Sequence, residues 1–345
     1  MQAGVRNAAG RWARGWLTAW FLCALWIAPS PAQPRDRNDI DPDAPLTFGI
    51  LPIGGPVESL EAWRPLLDDL HKALARPIRA VSVTTYEGIA QAISEQRVDI
   101  AFLSGRLALD AVTQQNMQVI GRLTRGDGSK GYYAELIVAS DSRIGNLEQL
   151  FSRPGKWRFA RGEALSTSGY LVPETQLFAA RGVDSDTFFA SVHIDNHQNN
   201  ALAVANGEAD VATNNTADLE RFQQHFPDQY ARLRVIWKSS LIPHAVIVIR
   251  NDLPASLRDR VASFITGYGK GKDGTREEAN LKLIHDISGF APASNADLVA
   301  FADIEYALEK RRATSAQWVS EGARETRFHK IESDHHALVA RLRGK

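Results

Sequence analysis

The sequence predicts an α/β fold built as two units, and three observations carry that prediction. Strand-like and helix-like segments alternate from Leu46 onward, the pattern of a layered α/β architecture. At 345 residues the chain exceeds what one small core accommodates and suggests two domains of ordinary size. The stretch YEGIAQAISEQRVDIAFLS (86–104) also lies over HQNNALAVANGEADVATNN (197–215) without a gap, matching Ala90 with Ala201, Ala92 with Ala203, Asp99 with Asp210 and Ala101 with Ala212. That correspondence has two readings, a pair of similar lobes or chance likeness between two helix–strand units.

The elements follow in order. LTFGIL (46–51) is a short apolar run closed by Pro52, Gly54 and Gly55, hence a first strand. Leu60, Trp63, Leu66, Leu67, Leu70 and Leu74 recur at helical spacing and put one apolar stripe on a helix. IRAVSV (78–83) is the next strand, Tyr86 to Gln96 the next helix, and VDIAFL (98–103) the third strand. The pattern resumes with GYYAELIVAS (131–140), WRFA (157–160), a helix after Ser166, another after His197, and ADVAT (209–213). LRVIWKS (233–239) and AVIVIR (245–250) are the last predicted strands, and the remainder reads as mostly helical.

Composition narrows the function. The 40 Lys+Arg residues balance 40 Asp+Glu residues, and only 23% of the chain is charged, which argues against a nucleic-acid surface and against a disordered chain. A single cysteine excludes an intramolecular disulfide framework and a multi-thiolate metal site. Arg6, Arg11 and Arg14 precede the apolar run Trp16 to Ala28, and small residues follow at Ser30 and Ala32. This is the layout of a secretory signal peptide over 1–32, with a retained membrane anchor as the competing reading. The apolar run is short for a bilayer span, which takes about 20 residues. Without Arg6, Arg11 and Arg14 the 40 basic residues become 37, and the exported chain carries a net charge of −3 and no cysteine. Residues 33–43 then form a polar leader.

The clearest chemistry lies in ALSTSGYLVPETQLFAARG (164–182). Ser166, Thr167, Ser168 and Gly169 fall between a predicted strand and a predicted helix, so three hydroxyls meet the free N–H groups and positive dipole end of a first helical turn. Gly169 there permits close backbone approach. The set suits a tetrahedral oxyanion; an ordinary Ser or Thr helix cap is the alternative. If the internal correspondence is real, Tyr86 and His197 start equivalent helices and face one cleft, where open α/β sheets bind ligands. G-x-S-x-G, G-x-x-x-x-G-K-[ST] and H-E-x-x-H are absent from the sequence. No catalytic residue, cofactor or metal site is therefore assigned, and Ser168 with His197 is the one pair an enzyme reading has to work with. Asp68-Asp69, Glu277-Glu278, His335 and His336 read as solvent-exposed helix faces.

From about Leu46 to Tyr268 the chain resembles the PhnD-type phosphonate-binding periplasmic proteins of bacterial ABC importers. The resemblance is densest in GYYAELIV, LSTSGYLVPETQLFA, NNALAVANGEADVATNNTADLERF and LRVIWKSSLIP. It implies a two-lobed periplasmic-binding-protein fold of type II, with one lobe from 44–135 plus 243–290, the other from 136–242, and hinge strands near 131–140 and 234–250. Residues 291–345 become a C-terminal helical extension, either packed on the first lobe or used for self-association, so the oligomeric state stays open. Matched position by position, Ser166, Thr167 and Ser168 hold the phosphonate oxygens, Tyr86 comes from the first lobe and His197 from the second. The implied partners are a phosphorus oxyanion and an inner-membrane permease, and the implied location is periplasmic. A sensory receptor docking on a membrane kinase or chemoreceptor is the alternative use of the same module.

The departures bear on the ligand. Family members that take 2-aminoethylphosphonate place a glutamate after NNT and an aspartate after LIP, where this chain has Ala217 and Ala245, the latter preceded by His244. Those carboxylates hold the ligand's ammonium, and a buried ammonium without a partner costs several kcal/mol. A tyrosine expected after Phe102 is replaced by Leu103. The resemblance with these gaps implies a phosphonate, phosphite or phosphate without an amino tail. His244 or Arg106 either meets a further anionic group or faces solvent.

Overall fold

Every residue of strand β1 (Leu46–Ile50) is buried, as in a strand covered on both faces, and a six-stranded sheet forms around it. The computed structural model of the chain describes residues 44–53, 55–284 and 287–344, so the expectations for 1–32 and 33–43 lie outside the described residues. Strands β2 (Ile78–Ser82), β3 (Ile100–Leu103) and β4 (Met117–Arg125) complete the first part of the chain. After the two-residue β5 (Gly131–Tyr132) come β6 (Ala134–Ala139), β7 (Arg158–Arg161), β8 (Ser191–Ile194), β9 (Val211–Asn215) and β10 (Leu233–Lys238), which form a five-stranded sheet. The short β11 (Ile242–Pro243) pairs with β5, and β12 (Val246–Arg250) and β13 (Ile287–Ala291) return to the six-stranded sheet.

The two sheets share one plan. The first runs β13-β4-β12-β3-β1-β2 and the second β10-β6-β9-β7-β8. In each, a central strand lies parallel to the strands on both sides (β1 between β2 and β3, β7 between β8 and β9), and an antiparallel strand follows. The helices Tyr86–Ser94 and His197–Ala205 begin and end at aligned residues, and β3 and β9 begin at aligned residues too. The correspondence of 86–104 with 197–215 is thus a repeated structural unit, which decides between its two readings.

Packing follows the sequence pattern. Trp63, at the centre of the predicted apolar stripe, is fully buried with its ring 5.1 Å from Phe48 and 5.0 Å from Phe102. Phe151, Phe159, Phe178, Phe188 and Phe189 form a separate aromatic core on the second sheet. The chain passes between the sheets at β5 and again at β11, and these crossings pair with each other. A β-carbon on Gly131 would lie 2.1 Å from the Ile242 carbonyl oxygen, so only glycine allows this ladder to close.

Some expectations are corrected. GYYAELIVAS is two strands rather than one, broken at Tyr133. The strands β4, β8 and β13 were not foreseen; β8 is a largely exposed polar edge with no apolar run, and β13 interrupts the region read as helical. The C-terminal helix Val299–Ser315 packs on both halves, against Gly105–Gln114 beside the first sheet and against the 167–181 segment beside the second. Arg106 pairs with Glu305, and Arg312 donates to the Tyr170 hydroxyl at 3.1 Å. His336 is exposed, but His335 stacks on Tyr306 with ring centroids 4.2 Å apart and bonds Asp303 at 2.8 Å.

Asp68 is exposed, whereas Asp69 is buried and accepts hydrogen bonds from the Tyr268 hydroxyl at 2.8 Å and from Arg276. Burial alone would raise the Asp69 pKa, but its hydrogen bonds with Arg276, Tyr268 and Lys72 prevail and hold it below the ordinary carboxylate value. With the folded pKa depressed, its contribution is complete above the unfolded carboxylate range and is lost as pH falls through the folded value. Asp69→Asn is expected to lower stability by about 1–3 kcal/mol at neutral pH, the penalty for weakening a buried bonded acceptor. It should also flatten the acid limb of a thermal-melting profile.

Candidate functional site

A cavity of about 80 Å³ opens where the carboxyl ends of the parallel strands of both sheets meet. Tyr86, Ser166, Thr167, Ser168 and His197 all line it, with Ala217, His244 and Ala245. The switch-point geometry explains the convergence, since Tyr86 and His197 begin their helices just beyond strand ends.

The segment after Ser166 is a wide π-turn over Thr167–Leu171, with the Leu171 N–H bonded to the Ser166 carbonyl at 3.1 Å. Ser166 is its cap, accepting from the Gly169 N–H at 3.0 Å, so the cap and the oxyanion readings describe one residue. A β-carbon on Gly169 would meet Ser166 Oγ at 2.7 Å and Gly162 Cα at 2.8 Å. The close approach that glycine permits is therefore to the Gly162 backbone.

The three hydroxyls are buried, with exposures of 1%, 1% and 3%, and each has an N–H donor pointed at its oxygen. Ser166 Oγ receives the Gly169 N–H, and Thr167 Oγ1 receives the Arg106 N–H at 3.0 Å. Ser168 Oγ receives the Asn215 side-chain amide at 3.1 Å and sits 3.2 Å from His197 Nε2. His197 Nδ1 is buried with no partner among the described residues. An orphaned lone pair is tolerated better than an orphaned N–H, which favours the tautomer with the proton on Nε2, donating to Ser168. A hydroxyl has one proton to give, and with its oxygen already occupied that proton is left for another acceptor. The Tyr86 and Tyr132 hydroxyls line the same cavity as Ser166 and Ser168.

Burial, with the nearby Asp218 charge, raises the Tyr86 pKa strongly, and burial raises that of Tyr132, so both remain O–H donors. Burial lowers the His197 pKa against the opposing pull of Asp218, and the imidazole stays neutral near pH 7.

Leu103 and Arg106 fall elsewhere. Leu103 is fully buried in β3 opposite Val246, and the strand reaches the cavity through Phe102 and Ser104. Alternation of side chains along a strand separates neighbours in this way. The Arg106 guanidinium turns to Asp110 and Glu305; its backbone N–H is what serves Thr167. His244 is buried, stacks on Tyr132 at 6.3 Å and approaches the Ser129 carbonyl at 3.1 Å, so it does not face solvent. Tyr132, Asn215 and Asp218 line the cavity without having been singled out. The remaining wall is mostly apolar, from Leu51, Ile53, Phe102, Leu123, Ala245 and Ile287, with Ser104 and Arg125 as its polar members.

Glu163 joins the halves from outside the cavity, its carboxylate accepting the Tyr86 N–H at 3.0 Å and the Glu87 N–H at 3.3 Å. That occupies the positive end of the Tyr86–Ser94 helix. Among the described residues no cluster of potential metal ligands occurs, and no helix is long and apolar enough to cross a membrane.

Residues 48–298 match the family described as "ABC transporter, phosphonate, periplasmic substrate-binding protein". The phosphonates-binding periplasmic protein of Escherichia coli K12 is 34% identical over 307 residues, 88% of this chain and 86% of that protein. The phosphate-import protein PhnD of Mycolicibacterium smegmatis is 22% identical, over 63% of this chain and 69% of that one. Among solved structures, a binding-protein component of an ABC phosphonate transporter from Pseudomonas aeruginosa superposes with a TM-score of 0.81 at 28% identity, covering 88% of this chain and 99% of its own. PhnD1 of Prochlorococcus marinus, solved with methylphosphonate, shares the fold with a TM-score of 0.66 at 19% identity, over 78% of this chain and all of its own.

Proposed function

The chain belongs to the periplasmic substrate-binding proteins of phosphonate ABC transporters, and we propose that it captures a phosphorus oxyanion without an amino tail. It is a two-lobed α/β binding protein of type II, and its family consists of receptors rather than enzymes. We take residues 44–135 plus 243–290 as one lobe and 136–242 as the other, delivering ligand to a membrane permease.

One observation carries the ligand reading. The hydroxyls of Ser166, Thr167 and Ser168 are buried together, and each oxygen is already engaged by an N–H donor. Such a set has protons to give, and a ligand bristling with oxygen acceptors satisfies it. Alanine at 217 and 245 leaves the cavity without the two carboxylates that the resemblance assigns to an ammonium, and the carboxylate it does have, Asp218, is bonded by Asn215. Hydrolysis by Ser168 and His197 is disfavoured by the same geometry. A catalytic triad needs its aspartate on the imidazole nitrogen opposite the serine, and Asp218 lies 3.9 Å from Nε2, the nitrogen that faces Ser168.

Calorimetric titration with phosphate, phosphite, methylphosphonate and 2-aminoethylphosphonate tests the reading. At least one of the first three should bind tightly and the fourth weakly. Thr167→Val should cost the bound ligand about 1–3 kcal/mol, because it leaves an acceptor unpaired in a buried site. Tight binding of 2-aminoethylphosphonate would refute the tail assignment, and indifference to all four would refute the oxyanion site.

A further inference from the structure

We propose that Asp218 makes this cavity a receptor for the singly protonated oxyanion, its carboxylate accepting the hydrogen bond of a P–OH group. The inference rests on the phosphorus-oxyanion reading and assigns the ligand's protonation state.

Asp218 is a misfit in a site for anions. It lies in the first turn of the helix Thr216–His225, and its N–H donates to Asn215 Oδ1 at 2.9 Å. Its Oδ2 accepts from Asn215 Nδ2 at 2.6 Å and sits 3.9 Å from His197 Nε2. Since Asn215 also bonds Ser168, the carboxylate belongs to the hydroxyl end of the cavity. Its Oδ1 receives no hydrogen bond from any described residue.

The groups facing Asp218 are the His197 imidazole from its helix, the Tyr86 hydroxyl from the Tyr86–Ser94 helix and the Tyr132 hydroxyl from β5. The Glu163 carboxylate lies beyond Tyr86, bonded to backbone N–H groups. Along the cavity are His244 and Arg125, the latter paired with Glu220 at 2.5 Å. This wall has many donors and, in Asp218, one strong acceptor. A dianion placed there meets a like charge in a poorly screened pocket. A monoanion of the form R–PO₂(OH)⁻ gives its P–OH to Asp218 and takes the hydroxyl protons on its other oxygens. A sulfonate has the same shape and charge but no proton to give, so Asp218 selects phosphorus over sulfur.

The tyrosines and histidines of the cavity are moved away from titration near neutrality. The two tyrosines are shifted upward by burial, and His197 and His244 downward by burial. A pH dependence of binding above the ordinary imidazole range therefore follows the ligand's proton.

The test is calorimetric titration of the wild-type chain and of Asp218→Asn with methylphosphonate, phosphite and methanesulfonate between about pH 6 and about pH 9, a span covering second phosphoryl ionisations. Affinity of the wild type for both phosphorus ligands should fall as that ionisation proceeds, approaching about tenfold per pH unit. The midpoint should move with the ligand, methylphosphonate holding on to higher pH than the stronger acid phosphite. Methanesulfonate should not bind the wild type, and Asp218→Asn should flatten the profile and admit it. A wild-type affinity independent of pH, tight wild-type binding of methanesulfonate, or an Asp218→Asn profile as steep as the wild type's would each overturn the proposal while leaving the oxyanion site standing. Failure of every phosphorus ligand to bind at about pH 6 would instead overturn the underlying reading, and this proposal with it.

Discussion

Installing both missing carboxylates, as Ala217→Glu with Ala245→Asp, is expected to turn the chain into a receptor for 2-aminoethylphosphonate. Both alanines line the cavity that the three hydroxyls line, Ala217 directly before Asp218 and Ala245 directly after His244. An ammonium entering there today finds no carboxylate at 217 or 245, whereas in the double variant it meets two more anions. Breaking a buried pair typically costs about 3–5 kcal/mol, so restoring one should raise affinity for the aminated ligand at least about a hundredfold. The same change should weaken methylphosphonate, because an unpaired buried carboxylate is then left facing a methyl group. Each single variant should give a smaller gain than the pair. Competition calorimetry between the two ligands reads both effects; unchanged preference in the double variant would show that the tail points elsewhere.

Ser168→Ala is expected to produce the second large loss. Its oxygen is the meeting point of the Asn215 amide at 3.1 Å and the His197 Nε2 at 3.2 Å. Alanine removes a ligand donor and strands buried donors at once. With about 1–3 kcal/mol for each unsatisfied buried group, ligand affinity should fall further than in Thr167→Val, where a single N–H from Arg106 is released. Because the groups share one network, the Ser168→Ala and His197→Ala losses should not add, and a double-mutant cycle measures the coupling. Additive losses would mean that the two residues act on the ligand separately.

How much of this was legible in the sequence depended on distance along the chain. Ser166, Thr167 and Ser168 were visible because a hydroxyl run at a strand-to-helix junction carries its chemistry locally. Tyr86 and His197 were visible because the two halves repeat with register intact. Tyr132 stands within GYYAELIV with no local sign of its role, since nothing in that run announces that the strand breaks at Tyr133. Asn215 and Asp218 look like an ordinary helix start, and they are one: Asn215 caps the helix. What reveals their second role is the cavity behind them. Arg106 was singled out for its charge, but its contribution is a backbone N–H, which any residue but proline supplies. Asp69 was misread as exposed because its partner Arg276 lies 207 residues further on, a separation no periodicity argument spans. The strand β8 escaped for the opposite reason, since an exposed edge needs no apolar pattern.

The groups around the cavity come from strand ends and first helical turns, while the strands themselves are held by buried side chains elsewhere. The polar groups that would meet a ligand are therefore mostly not the side chains that hold the sheets together, although Tyr86 and Phe102 serve both. Positions 217 and 218 belong to no apolar core and Ala245 only borders one, and none of the three is a glycine closing a backbone contact as Gly131 and Gly169 do. Substitutions at these positions are therefore expected to change which ligand binds more than they change the melting temperature.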